Sequence, residues 1–516
     1  MNIVWYCICA ATFAAFLVLN ARKALHMFQL NSYKPATHLR WLKRNMTSLI
    51  PGAVVAVAAV VAAFLSATSG AAVLAAVSAC TCLAVWPKKA KKPLVLTQRV
   101  WRQILTLAVL VAVAAVVAWL TRWQIVAAVV ALVSSLLILP VFYINKPLES
   151  AINRWFVKDA MGILKSCPDL TVIGVTGSYG KTSVKFILKT LLAAKYNVLA
   201  TPESYNTPMG VVITVRNFLR PTHEVFVCEM GARHVGDIKE LCDIVSPKHG
   251  IITSVGPQHL ETFFTLDNVK KTKFELADAL PEAGTVFLNG EDENIEAHRS
   301  HVTGNAIRYG LNEGCDYYAD GISASSRGTT FTVHTPKGET ETFTAAMIGK
   351  HNVINILGAI AICCEMGIAL SALKPQVRKL ESVPHRLQLI RKGGGVTVID
   401  DAYNSNPTGS KAAIDALALF DGFKMLVTPG MVELGEKQDE LNKAFGAYAA
   451  KVCDHVVLVG KKQTAPIYEG LVEAGYPTEK IYVADALGDA ITHAYAVNAG
   501  GKEKIILLEN DLPDNF

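Results

Sequence analysis

The chain has 516 residues, 51% hydrophobic and 18% charged, which excludes disordered and collagen-like classes and leaves room for about three domains. Its formal net charge of +7 is unevenly placed: residues 1–148 carry 14 Lys or Arg and no acid, whereas residues 149–516 carry 36 against 43 Asp or Glu. That asymmetry excludes a basic nucleic-acid-binding surface and points to a membrane section joined to an ordinary acidic soluble section.

Charge-free apolar runs occupy residues 3–19, 49–67, 69–86, 104–120 and 125–144. A helix of about 20 residues crosses the roughly 30 Å hydrocarbon core of a bilayer, so about five transmembrane helices are expected in a region spanning 1–148. The second and third form a hairpin around a turn at residues 66–70. Arg22, Lys23, Lys34, Arg40, Lys43 and Arg44 fall in one connecting loop, and Lys88, Lys89, Lys91, Lys92, Arg99 and Arg102 in another. The positive-inside rule puts both loops in the cytoplasm, the N-terminus outside, and everything after Lys146 in the cytoplasm. A cleaved signal peptide is the alternative for the first run, although no positive side chain precedes it. The eleven cysteines form no paired Cys-x-x-Cys blocks and fit a reduced compartment.

After Glu149 the texture becomes βαβ. Residues 171–176 read as a buried strand and 181–195 as a helix, whose apolar face is Val184, Ile187, Leu188, Leu191 and Leu192. Further strands are expected at 225–228 and 250–255, a small antiparallel patch at 315–345, and a long helix at 352–366. A second α/β unit begins near residue 384, with strands at 396–400, 424–428 and 455–459 and a helix at 438–451. The fold class is α/β: a helical membrane region, a parallel-sheet domain at 149–384, and a Rossmann-like domain at 385–516.

The strongest local signal is Thr176-Gly177-Ser178-Tyr179-Gly180-Lys181-Thr182-Ser183, between a strand and a helix. Glycines let backbone N–H groups turn toward phosphate oxygens, the helix N-terminus adds partial positive charge, and Lys181 adds a full one. Thr182 or Ser183 can offer a hydroxyl to phosphate-bound Mg²⁺. Val175 stands where the usual G-x-x-x-x-G-K spacing has its first glycine. Glu229 and His259 lie at the ends of two further strands, where ligands of a doubly wound sheet sit. Glu229 reads as a metal ligand or a solvated loop acid, and His259 as a ligand or a hydrogen-bonded structural histidine. Lys273, within Lys270-Lys271-Thr272-Lys273, reads on its own as an exposed basic helix face.

Thr176 to Lys185, Cys228-Glu229-Met230-Gly231-Ala232 and His259-Leu260-Glu261 together resemble the Mur ligase family. So do Gly349-Lys350-His351-Asn352-Val353-Ile354-Asn355, His385-Arg386 and Asp400-Asp401-Ala402-Tyr403-Asn404-Ser405-Asn406-Pro407. Tyr-Asn-x-Asn-Pro and the Asn206-x-x-x-Gly210 turn resemble the branch that adds D-alanyl-D-alanine to UDP-N-acetylmuramoyl-tripeptide.

The resemblance implies ATP and Mg²⁺ as cofactors. It implies that Lys181 grips the terminal phosphates, that Thr182 and Glu229 hold one Mg²⁺, and that His259 with a carbamylated Lys273 holds a second. Asn352 and Asn355 would approach the adenine, Arg386 the γ-phosphate and Asp401 the ribose, while Asn206, Tyr403, Asn404 and Asn406 would face substrate. The chemistry implied is attack of a substrate carboxylate on the γ-phosphate, followed by attack of an amine on the acyl phosphate.

Two departures bear on the substrate. Expected membrane spans stand where soluble members carry a uridine-binding domain, and the C-terminus lacks the basic Lys-Gly-Ser-Arg type ending expected of the D-alanyl-D-alanine-adding branch. The expected acyl substrate is therefore a muramoyl-peptide, either as the soluble nucleotide or lipid-linked, with membrane lipids as further partners and no protein partner identified. A poly-γ-glutamate-synthase-like ligase and a non-ligase with an ATP-dependent gating or transport role are the alternatives.

Overall fold

The structure is a computed structural model that describes residues 2–87, 93–121, 123–325, 328–381, 385, 387–393, 395–402 and 405–510. It divides into two compact units, one ending at Trp155 and the other beginning at Phe156.

The first unit is helical: α1 (Asn2–Leu30), α2 (Pro35–Arg44), α3 (Ile50–Ala62), α4 (Ala67–Ala84), α5 (Gln98–Leu120), α6 (Trp123–Val133) and the start of α7 (Ile138–Lys165). Among the described residues, three stretches are long and apolar enough to cross a membrane, Ile3–Leu30, Ala67–Ala84 and Gln98–Leu120. The two other expected spans are not single helices. Residues 49–67 contain only the 13-residue α3, bent by 97° from α2, and residues 125–144 break between α6 and α7 with a 74° bend. Five spans result only if each bent pair crosses as one.

The second break has a polar cause. Asn20 Nδ2 donates to Ser134 Oγ at 2.7 Å and to Ser135 Oγ at 3.1 Å, and Ser134 Oγ donates to Ala131 O at 2.6 Å, all buried. Hydroxyls that bond nearby carbonyls in this way bend or interrupt helices.

The expected loop at 20–48 is mostly helix. α1 continues through Arg22 and Lys23, which favour helix as well as leucine does. Arg40, Lys43 and Arg44 lie on α2, which starts with Pro35 in its first turn and ends on two cations that suit its dipole. The α3–α4 turn closes at Ala63–Ser66, where Ser66 caps α4 by accepting from Ser69 N at 3.2 Å. Gly70 sits inside α4, where a β-carbon would fall 2.6 Å from Ala62 O, so glycine permits the close hairpin. A cavity of about 1090 Å³ separates α1 from α5 and α6, walled by side chains such as Phe13, Leu17, Ala112, Trp119 and Trp123, with Arg22 as its one charged lining group among the described residues.

The second unit holds two sheets. The first contains β1 (Thr171–Thr176), β2 (Val198–Ala200), β3 (Val225–Glu229), β4 (His249–Ile252), β5 (Thr285–Asn289), β6 (Asn305–Gly310), β7 (Tyr317–Ser325), β8 (Gly328–His334) and β9 (Thr340–Ala345). Their order is β2-β3-β1-β4-β5-β6-β7-β8-β9, parallel as far as β7 and antiparallel from β7 to β9. The expected antiparallel patch is thus the continuation of the main sheet. β1 and β3 are buried almost throughout, as parallel strands covered on both faces require. The helix after β1, α8 (Lys181–Leu192), buries the apolar face read from its periodicity.

The second sheet contains β10 (Gln388–Gly393), β11 (Val396–Asp401), β12 (Phe423–Thr428), β13 (His455–Val459), β14 (Ile481–Ala484) and β15 (Lys504–Glu509), ordered β10-β11-β15-β12-β13-β14. Only the edge strand β10 is antiparallel. Loops from the C-terminal strand ends of the two sheets meet: His259 Nδ1 lies 3.0 Å from Glu433 Oε2, and Leu260 lies beside Gly435.

Candidate active site

β1 pairs with β3 on one side and β4 on the other, so their C-terminal ends share one edge at the point where strand order reverses. There the chain turns from Thr176 into α8. Gly177 adopts φ +153°, and a β-carbon on it would lie 2.1 Å from Thr253 Oγ1; Gly180 adopts φ +79° against Asn355. The loop is clamped to the segment after β4. Ser178 N donates to Ser254 O at 2.8 Å, Tyr179 N to Ser254 Oγ at 2.7 Å, and Gly256 N to Ser178 Oγ at 2.9 Å. Thr176 is fully buried and donates to Met230 O, while Ser183 is half-buried on the first turn of α8. Lys181 Nζ donates to Gly177 O at 2.7 Å and Ser178 O at 3.1 Å, so its ammonium is held against its own loop.

Glu229 closes β3 and is 1% exposed. Its Oε1 accepts from Thr182 Oγ1 at 3.1 Å and from Asn206 Nδ2 at 3.0 Å, which gathers three of the sequence candidates at one point. Its Oε2 lies 3.0 Å from Lys185 Nζ, yet outside hydrogen-bond geometry, and is a buried oxygen with no hydrogen bond. Burial pulls the Lys185 pKa down, and Glu229 opposes that pull. A hydroxyl beside an under-coordinated carboxylate oxygen fits Mg²⁺, which binds through one or two carboxylates together with substrate phosphates. No three His, Cys, Asp or Glu side chains cluster as a metal centre among the described residues.

Lys273, on the helix Leu266–Asp278, corrects the exposed-face reading: it is 2% exposed, whereas its neighbour Lys271 faces solvent. Burial, reinforced by the nearby Lys181 charge, holds its pKa well below the ordinary lysine value. A neutral amine is the form that takes up carbon dioxide, so the environment suits carbamylation. His259 caps the short helix Leu260–Phe263 in a left-handed conformation, with its Nδ1 3.0 Å from Glu433 Oε2. Burial lowers its pKa although Glu433 pulls the other way.

Asn352 is buried and donates to Ile348 O at 2.7 Å, and Asn355 borders the phosphate loop at Gly180. Asp401 Oδ1 accepts from Leu387 N at 3.0 Å, while its neighbour Asp400 pairs with His385 Nδ1 at 2.8 Å. Asn406 accepts from Gly409 N at 2.7 Å and caps the helix Pro407–Ala418, a structural use of that side chain. Arg386, Tyr403 and Asn404 lie outside the described residues.

Three buried or half-buried ionisable groups at these strand ends escaped the sequence reading: Lys185, Glu433 and Glu509. Glu509 closes β15 and accepts hydroxyls from Ser405, Ser410 (2.7 Å) and Thr428 (2.5 Å). Lys185 and Glu509 did carry a visible signal, a charge on an apolar helix face and an acid ending an apolar strand. Glu433 carried none.

The family description "Mur ligase middle domain" matches residues 175–363, and "Mur ligase, glutamate ligase domain" matches residues 385–508. The UDP-N-acetylmuramoyl-tripeptide–D-alanyl-D-alanine ligase of Escherichia coli K12 is 32% identical over 333 residues, covering 62% of this chain and 73% of the relative. The Bacillus subtilis 168 protein of the same name is 34% identical, covering 56% of this chain and 63% of its own length. The chain belongs to the Mur ligase family. MurF from Acinetobacter baumannii superposes with a TM-score of 0.64 at 26% identity, covering 70% of this chain and 77% of that one. MurF from Thermotoga maritima in complex with ADP gives 0.62 at 26%, covering 70% and 80%. ATP and Mg²⁺ as cofactors, and the class of an ADP-forming Mur ligase, follow from membership.

Proposed function

We propose that this Mur ligase joins an amine, D-alanyl-D-alanine or a close analogue, to the carboxylate of a muramoyl-peptide in cell-envelope precursor synthesis. The convergence of Thr182, Asn206 and Lys185 on Glu229, beside Lys181 and the buried Lys273, carries this reading. ATP binding alone needs no buried lysine of lowered pKa. Lys181 binds the terminal phosphates, Thr182 and Glu229 orient the first Mg²⁺, and Lys273 with His259 the second. Bound Mg²⁺ offsets the repulsion between the two reacting anions. The substrate carboxylate oxygen bonds to the γ-phosphorus as ADP leaves. The amine nitrogen then bonds to the acyl carbon, loses a proton, and releases phosphate. Contact between the loops of the two sheets keeps water from the acyl phosphate. Asn352, Asn355 and Asp401 hold the nucleoside, Arg386 the γ-phosphate, and Asn206, Tyr403, Asn404 and Asn406 the substrate side.

Residues 1–148 form a multi-pass anchor in the cytoplasmic membrane, followed by an ATP-binding domain at 149–384 and a C-terminal domain at 385–516, both cytoplasmic. Three membrane-length helices among the described residues, the basic residues of α1 and α2 and the apolar cavity beside Arg22 support contact with anionic lipids. Membrane-length helices on the same chain as the ligase domains favour a lipid-linked muramoyl-peptide. The polymer-synthase and transport readings gain nothing from the relatives above.

The test uses full-length protein in lipid nanodiscs with ATP, Mg²⁺ and D-alanyl-D-alanine, offered UDP-muramoyl-tripeptide and lipid-linked peptide together, with Lys181→Ala as control. Mass spectrometry is expected to show the dipeptide mass on the lipid fraction. Gain on the nucleotide fraction alone refutes the lipid-linked substrate, and ATP turnover without gain on either refutes the substrate pair. Bicarbonate enriched in ¹³C is expected to give a carbamate carbon signal that Lys273→Ala removes.

A further inference from the structure

Two non-glycine residues with left-handed backbones face one another across the two sheets: His259 after β4, at φ 54°, and Glu433 after β12, at φ 62°. That region is unfavourable for any residue with a β-carbon, so local preference selects neither conformation. What they achieve together is a side-chain contact of 3.0 Å between His259 Nδ1 and Glu433 Oε2. The Glu433 loop is pinned on both flanks. Met431 and Leu434 are buried, Met431 N donates to Asn442 Oδ1 at 2.9 Å, and Asn442 Nδ2 returns a bond to Met431 O at 3.0 Å. Arg233 is the other charge felt by both partners. A carboxylate on Nδ1 makes that nitrogen the proton carrier and leaves the Nε2 lone pair for a second ligand.

We propose that Glu433 is a positioning residue for the metal held by His259, setting its tautomer and ring orientation from the C-terminal sheet. The inference rests on the reading of His259 as a metal-holding group. It adds that this site is complete only while the β4 and β12 loops are in contact, so divalent-ion affinity and loop contact are linked. By thermodynamic reciprocity, the ion strengthens the contact by the factor that the contact strengthens the ion.

Full-length protein in nanodiscs is titrated with Mn²⁺ in the presence of a non-hydrolysable ATP analogue, and bound Mn²⁺ is read by electron paramagnetic resonance. His259→Ala is expected to abolish one of two Mn²⁺ sites. Glu433→Ala is expected to weaken the same site by about 10- to 100-fold, the range for loss of a carboxylate behind a ligating histidine. Glu433→Gln, whose amide oxygen still accepts from Nδ1–H, is expected to recover most of that affinity. Metal-free binding of the analogue verifies that each variant is folded. If His259→Ala loses a site while Glu433→Ala keeps both at wild-type affinity, Glu433 is only an inter-loop contact and the proposal is overturned. If His259→Ala itself keeps both sites, the metal-holding reading of His259 falls, and this proposal with it.

Discussion

Substituting Lys185 by methionine keeps the length and apolar stem of the side chain and removes its charge, leaving the Glu229 carboxylate buried. Both partners are almost wholly inaccessible, at 0% and 1%, and their charged atoms are 3.0 Å apart. At an effective dielectric of about 20 that separation corresponds to ~5 kcal/mol of attraction. Breaking a buried pair from one side costs about 3–5 kcal/mol, because the remaining ion is uncompensated. Thr182 and Asn206 still donate to Oε1, so the lower half of that range is expected. Hydrogen–deuterium exchange of peptides covering β1, α8 and β3 reads the change locally, where the seven tryptophans, all at or before residue 155, are uninformative. Protection there is expected to fall by about two to three orders of magnitude, at one order per 1.4 kcal/mol. Glu229→Gln in the same background is expected to restore much of it, and saturating Mg²⁺ with nucleotide to narrow the gap in the single variant. Unchanged protection in Lys185→Met, or a double variant no better than the single one, refutes an ionic role for the pair.

Gly177→Ala places a β-carbon 2.1 Å from Thr253 Oγ1 at a φ that disfavours it, and is expected to weaken ADP binding by about tenfold or more in calorimetry. Asn406→Ala removes the cap on Gly409 N and is expected to cost the helix Pro407–Ala418 about 1 kcal/mol, read as faster exchange of its first turn. Burial lowers the His351 pKa to about 4, against a weaker opposing pull from Asp415. The unfolded chain therefore takes up the proton first, and stability falls as pH drops from 6.5 toward 4. His351→Phe is expected to flatten that part of the thermal-stability profile.

What sequence made legible was whatever periodicity and local spacing record. The buried run of β1, the apolar face of α8 and the Gly177–Lys181 turn are local, and the structure places them as read. Helix bounds in the first unit were misjudged because hydropathy stops at a charge, whereas the backbone of α1 runs on through Arg22 and Lys23. The bend between α6 and α7 is marked locally only by Ser134 and Ser135, and the Asn20 that bonds both hydroxyls lies more than a hundred residues away. Lys273 is the sharpest case. Its sequence neighbours make it look solvated, and only the packing of its helix against the sheet turns it inward, into a setting that lowers its pKa. Glu433 belongs with it, since its significance is set by a histidine 174 residues upstream.

The helix α7 begins in the first unit and ends on Lys165, with the unit boundary inside it rather than in a linker. Past that boundary Phe156, Val157, Ala160, Met161 and Leu164 belong to the same apolar core as Phe226, Ile238 and Phe274. A gene fragment trimmed to the recognisable motif, starting at Thr171, therefore deletes part of the interior of the domain it is meant to isolate. The coding boundary of a foldable catalytic fragment lies at least one helical segment upstream of its first signature residue.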